Sequence, residues 1–145
     1  MGEEAYKEHE RWQIEIDDYR NRLMEIAQAS PRYAGGEIRH ETRELIIFGV
    51  GEPTKALAAI MEQAPSNVHV TWTEAPYSLA ELTADMRRIM SEHRGQLNRG
   101  GARHDGTGID FTTTDRRLLE TDDPQAVLGT RYPVSIEYGE PATYG

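Results

Sequence analysis

The stretch 44-ELIIFGVGEPTKAL-57 decides the fold. Leu45 to Val50 is apolar on both faces of an extended chain, the mark of a central strand covered on both sides. Gly49-Val50-Gly51 breaks that run. Pro53, at a first helical position, then opens a short helix over 54–63 that buries Leu57, Ile60 and Met61. A glycine-rich turn between strand and helix is also how nucleotide enzymes hold phosphate. Here Thr54 stands where a dinucleotide fingerprint has its third glycine, and no Gly-Lys-Ser/Thr follows. Glu52 would repel a phosphate, and Pro53 has no N–H to offer one. The stretch reads as a strand–turn–helix connection.

Upstream, residues 4–29 read as one amphipathic helix. Trp12, Ile16, Tyr19, Leu23 and Ile26 recur at spacings of four and three, a single stripe on a helix. Acids crowd its first turns, where the dipole favours them, and Ser30-Pro31 ends it. The stripe either packs on its own domain or pairs with another chain, because its heptad-like spacing also suits a coiled-coil seam. "YAGGE" at 33–37 reads as a connector, and 37–50 holds the first extended run.

Downstream, Val68, Val70 and Trp72 alternate with His69, Thr71 and Thr73, a strand with one buried face. Ser78 and Glu81 form a capping box at the start of a helix. That helix carries the stripe Leu79, Leu82, Met86, Ile89 and His93 and ends at Gly95. Residues 97–103 and 107–113 flank the hairpin turn His104-Asp105-Gly106. A loop over 114–129 holds a helical turn, with Asp115 a cap candidate. Val134, Ile136 and Tyr138 alternate in a last strand, which Pro133 places at a sheet edge. No internal repeat is visible. The expected fold is α+β: one mixed sheet with two helices packed on one face, preceded by a long N-terminal amphipathic helix. The expected organisation is an N-terminal helix over 1–30, acting as adaptor or packing arm, and a single α/β domain over 36–145.

The chain has 145 residues, which suits one domain. It has no cysteine, so disulfides and thiolate metal sites are excluded. Twenty-five acids against sixteen bases leave a formal charge of −9, which argues against non-specific nucleic-acid binding. One local exception exists: Arg87, Arg88, Arg94, Arg99 and Arg103 occur with a single acid, Glu92, among them. They form either a solvated surface or a site for an acidic partner. The first residues lack the apolar core of a secretory signal, and no apolar run approaches the length of a membrane span. Tyr6 stands where a myristoylation motif needs Ser or Thr. The expected location is cytoplasmic or within a larger particle.

No reactive centre is legible. Serines 30, 66, 78, 91 and 135 lie in no Gly-x-Ser-x-Gly elbow. His9, His40, His69, His93 and His104 show no i, i+4 pairing. His40-Glu41 and His104-Asp105 are neighbours that point to opposite sides of an extended chain. No cofactor, metal or small-molecule substrate is expected.

Three pieces taken in order, "ELIIFGVGEPTKAL", "VHVTWTEAPYSLAELTADMRRI" and "HDGTGIDFTTTD…YPVSIEYGEPATYG", resemble the pro-regions that precede actinobacterial chymotrypsin-like proteases of the α-lytic protease and streptogrisin type. The motifs are Gly51-Glu52-Pro53, Ala75 to Ser78, Asp105 to Gly108 and Pro133 to Pro141, and the likeness covers roughly 44–141. It implies a small α/β domain that binds a protein and catalyses nothing. The chain differs in having no protease segment after Gly145, and its N-terminal helix lies outside the likeness. The expected function is a non-enzymatic protein-interaction module, a structural or assembly component (of a phage particle, for example) that binds another protein or itself. The surfaces expected to carry it are Trp12, Ile16, Tyr19 and Leu23 on the helix, and Val134, Ile136 and Tyr138 on the last strand. A trans-acting inhibitor or folding chaperone of a chymotrypsin-like protease is the alternative, and a cryptic enzyme a remote one.

Overall fold

The structure, a computed structural model, describes residues 2–141; within the first helix the side chains at positions 2–6, 8, 9, 12, 13 and 15 lie outside the description. The elements run α1 (Gly2–Ala29), β1 (Tyr33–Arg39), β2 (Glu44–Gly49), α2 (Lys55–Glu62), β3 (His69–Glu74), α3 (Leu79–Glu92), β4 (Leu97–Ala102), β5 (Ile109–Thr113), α4 (Arg116–Leu119), α5 (Pro124–Leu128) and β6 (Val134–Tyr138). The class is α+β. The single mixed sheet expected from sequence is replaced by two three-stranded mixed sheets, ordered β1-β2-β3 and β4-β5-β6. In each, the first pair is antiparallel and the second parallel.

"YAGGE" is not a connector; it makes up most of β1. The reason lies in its glycines. Gly36 sits under the Met24 methyl of α1, where a Cβ would crowd the helix, and Gly35 lies against the main chain of His104. Residues that weaken a strand on propensity mark close approaches here.

The first core joins Ile16, Tyr19, Leu23 and Ala27 of α1 to Tyr33, Leu45, Ile47, Leu57, Ile60 and Val68. Alternation along β2 turns Leu45 and Ile47 toward the two helices, and β2 is central, as its doubly apolar sequence requires. The second core joins Leu82 and Ile89 of α3 to Leu97, Ile109, Phe111, Leu118, Leu128 and Tyr132.

The second half repeats the ladder of the first. Gly36 pairs with Ile47, and Gly100 with Phe111, each 64 positions later. Leu45 pairs with Val70, and Ile109 with Val134, at the same offset. Both hairpins carry an irregularity at the start of their first strand, Tyr33/Gly35 and Leu97/Arg99. The chain therefore contains a repeat of helix, hairpin, helical crossover and parallel strand that its sequence does not display. The halves meet where the β4–β5 turn docks on β1. The His104 ring lies edge-on to Phe48 at 5.9 Å, and left-handed Gly106 packs among Ala34, Ala75 and the Tyr77 carbonyl.

Candidate functional site

Of the helix residues expected to bind a partner, Ile16, Tyr19 and Leu23 are buried in the chain's own core. The Tyr19 hydroxyl donates to the Ile60 carbonyl at 2.7 Å, which satisfies its polar end and ties α1 to α2. Burial also raises the Tyr19 pKa, against a smaller lowering by Arg22. These three side chains offer no free surface, because the stripe covers the Leu45/Ile47 face of the first sheet. The side chain of Trp12 lies outside the described residues.

The last strand is different. β6 is an edge strand. In a parallel ladder, alternate residues of one strand bond to a given neighbour. The Pro133 carbonyl accepts from Ile109 N–H at 3.0 Å and Gly139 N–H donates to the Thr113 carbonyl at 3.1 Å. The odd-numbered residues of β6 thus face β5, while Val134, Ile136 and Tyr138 turn their N–H and C=O groups to the open side. Val134 and Ile136 are half-buried against the second core, and Tyr138 is 63% exposed. Sequence periodicity thus brought three residues to one edge, two anchored and one free. The Tyr138 hydroxyl donates to the Glu140 carboxylate, and that hydrogen bond raises the Tyr138 pKa.

The loop that leads into β6 is clamped to α3, which sequence reasoning did not foresee. Ser78 caps α3: its hydroxyl accepts from Glu81 N–H at 3.2 Å, and its own N–H donates to Glu81 Oε2 at 2.9 Å. Glu81 Oε1 also accepts from the Tyr132 hydroxyl at 3.0 Å and from Arg131 at 3.3 Å. One turn on, Asp85 accepts from the Thr130 hydroxyl and from Arg88 Nε at 2.9 Å. Arg88 also reaches Glu92 and the Gly129 carbonyl. Tyr132 stands edge-on to Tyr77 at 4.8 Å, with Arg131 above its ring at 4.4 Å. The Ser78 N–H hydrogen bond, more than burial opposes it, holds the Glu81 carboxyl below its ordinary value. Burial pushes Asp85 upward, but hydrogen bonds from Arg88 and Thr130 and the nearby arginine charges outweigh it, so its pKa is also lowered. Burial, with Glu81 next, raises Tyr132. The only sequence signal for this clamp was the i, i+4 spacing of the two acids.

The Gly-Val-Gly turn has a packing role. A Cβ at position 49 would strike the Trp72 ring, whose indole N–H donates to the Gly51 carbonyl at 2.8 Å. Gly51 supplies the left-handed turn, with φ 70°. The helix cap is Thr54, which accepts from Leu57 N–H, so Pro53 precedes the cap and is not the first helical residue. His93 caps α3 and shares a 3.0 Å hydrogen bond with Gln96. Among the described residues no group of three or more His, Asp or Glu is placed to hold a metal ion, and no helix is long and apolar enough to cross a membrane. No family model, curated protein or solved structure matches the chain.

Proposed function

We propose that the chain is a non-enzymatic protein-interaction module, a structural or assembly component that receives an extended segment of its partner at the β6 edge. The observation that carries this reading is the row of outward-facing main-chain groups at Val134, Ile136 and Tyr138. Such a row adds a strand by main-chain hydrogen bonding. Two features suit it to the task. Val134 and Ile136 root the strand in the core, and the Glu81 and Asp85 clamp fixes the loop that aims it.

Position 138 gives the test. Its N–H faces away from β5, so Tyr138→Pro removes an edge donor and no bond within the sheet. Tyr138→Ala removes the ring and keeps the donor. Partner capture, or concentration-dependent association, should be lost in Tyr138→Pro and retained at least in part in Tyr138→Ala. Equal binding by Tyr138→Pro and the unaltered chain would refute strand addition. A second reading follows from the likeness to protease pro-regions and from the segment that leaves β6 at Gly139. In it the chain inhibits or chaperones a chymotrypsin-like protease in trans. Residual protease activity with the chain at micromolar concentration tests it, and full activity across several such enzymes would eliminate it.

A further inference from the structure

The open edge of β6 is complementary to itself. Among the described residues no strand or side chain bonds to the main-chain groups of Val134, Ile136 and Tyr138 on that side, and the three positions are symmetric about Ile136. We propose that the segment received there is β6 of a second copy of the chain, laid antiparallel about a twofold axis at Ile136. The proposal rests on the strand-addition reading above and names its partner.

Main-chain matching, charge and side-chain cover each select this arrangement. The outward residues of β6 are even-numbered, so an antiparallel pair of these edges must set even opposite even, each such pair exchanging both its hydrogen bonds. Centred on Ile136, Val134 meets the second copy's Tyr138, and all three outward residues of each strand are matched. Centred one residue earlier or later, only two of the three are. The later register would also set Glu137 against its own twin, and like charges directly opposite are destabilising. Glu137 is exposed and, among the described residues, has no ion pair to mask its charge. Centred on Ile136, it faces the neutral Ser135 instead. Antiparallel order also brings the Arg131 end of one strand beside the Glu140 end of the other, once at each end of the pair. The Arg131 side chain is 72% exposed, and Glu140 is exposed as well.

Val134 and Ile136 pack on the core face of the sheet, and alternation puts Tyr138 on that face too. In the single chain the Tyr138 ring is left 63% exposed. Beside the second copy's Val134 it gains a β-branched neighbour, a cross-strand pairing that stabilises sheets. The two three-stranded sheets then continue as one six-stranded sheet, and the two open edges close on each other in an isologous dimer.

The chain has no cysteine, so an introduced thiol reports the register. Ser135 and the second copy's Glu137 form a non-hydrogen-bonded pair with Cα atoms about 4.5 Å apart, within the range of about 4.4–6.8 Å that a disulfide spans. Each of these residues meets its own twin only diagonally, at about 7–8 Å, which is too far. Ser135→Cys and Glu137→Cys, oxidised separately under native conditions, should therefore remain single chains in denaturing, non-reducing electrophoresis. Mixed in equal amounts before oxidation, they should give a linked species of about twice the 16.4 kDa of the chain, and Tyr138→Pro added to both should abolish it. Thermal melts within a few degrees of the unaltered chain check that the variants fold, since Ser135→Cys loses a hydroxyl bond to Asp110. Light scattering needs no thiol: the unaltered chain should show about twice the mass of one chain, and Tyr138→Pro the mass of one. Linkage of either thiol variant alone, or none in the mixture of folded variants, would overturn the proposal. So would an unaltered chain that is monomeric at high micromolar concentration. If Tyr138→Pro still abolished capture of a different protein by such a monomer, strand addition would stand with another partner. Association indifferent to Tyr138→Pro would refute both.

Discussion

At Gly49 the missing side chain lets Trp72 cross the strand–helix turn. The indole ring occupies the space a Cβ would take and donates to the Gly51 carbonyl. The motif looked local in sequence, and its turn was legible there. Its cause was not, because Trp72 stands 23 positions further on in another strand and the two meet only through the parallel β2–β3 ladder. Gly49→Ala should therefore behave as an overpacked core variant, destabilising by about 1–3 kcal/mol. Urea denaturation followed by tryptophan fluorescence would read both the loss and the displacement of the ring. A midpoint equal to that of the unaltered chain would show that the ring moves aside freely.

Among the elements, α3 does most to connect the chain. Its capping box was legible because a Ser with a Glu three residues later is a local pattern. Ser78→Ala should cost about 1 kcal/mol of stability, measured by chemical denaturation. The clamp to residues 129–132 was not legible, since Glu81 and Tyr132 are 51 positions apart and acids four apart are common on helices. Its pH dependence has a definite sign. Glu81 and Asp85 both have pKa values lowered in the folded chain. Their ionised forms therefore contribute stability that is complete above the ordinary carboxylate range of about 4. That contribution is lost as pH falls through this range and the lower folded values. Denaturation midpoints between about pH 7 and pH 3 should fall less steeply in Glu81→Gln/Asp85→Asn than in the unaltered chain. Parallel curves would show that the clamp is electrostatically silent. The N-terminal stripe gives the converse lesson. Its helical period was legible, but whether it faced its own sheet or another chain depended on which strands lay beneath it. Ile16, Tyr19 and Leu23 prove to be core.

For the whole molecule, the repeat was hidden because the two halves preserve a ladder and not a sequence. Across residues 33–74 and the positions 64 later, only Gly36/Gly100, Arg39/Arg103, His40/His104 and Val70/Val134 are identical. The ladder needs only apolar residues at alternate positions, and Leu45 and Ile47 answer to Ile109 and Phe111. The crossovers diverge further, one helix in the first half against two short ones in the second. Two small cores result, and a unit of about 60 residues alone is only marginally stable. Contact between the halves should therefore stabilise both. That contact runs through Gly35, where an added Cβ would collide with the His104 carbonyl, main chain that cannot rotate away. Gly35→Ala must lift the β4–β5 turn off β1 or distort one of them. We expect a loss of about 1–3 kcal/mol, together with faster amide exchange in both sheets, because each half loses its neighbour. Exchange that quickens only at residues 34–36 would show that each half stands without the other. A single cooperative unfolding transition that divides into two in the variant would be the clearest sign that this docking joins the two cores.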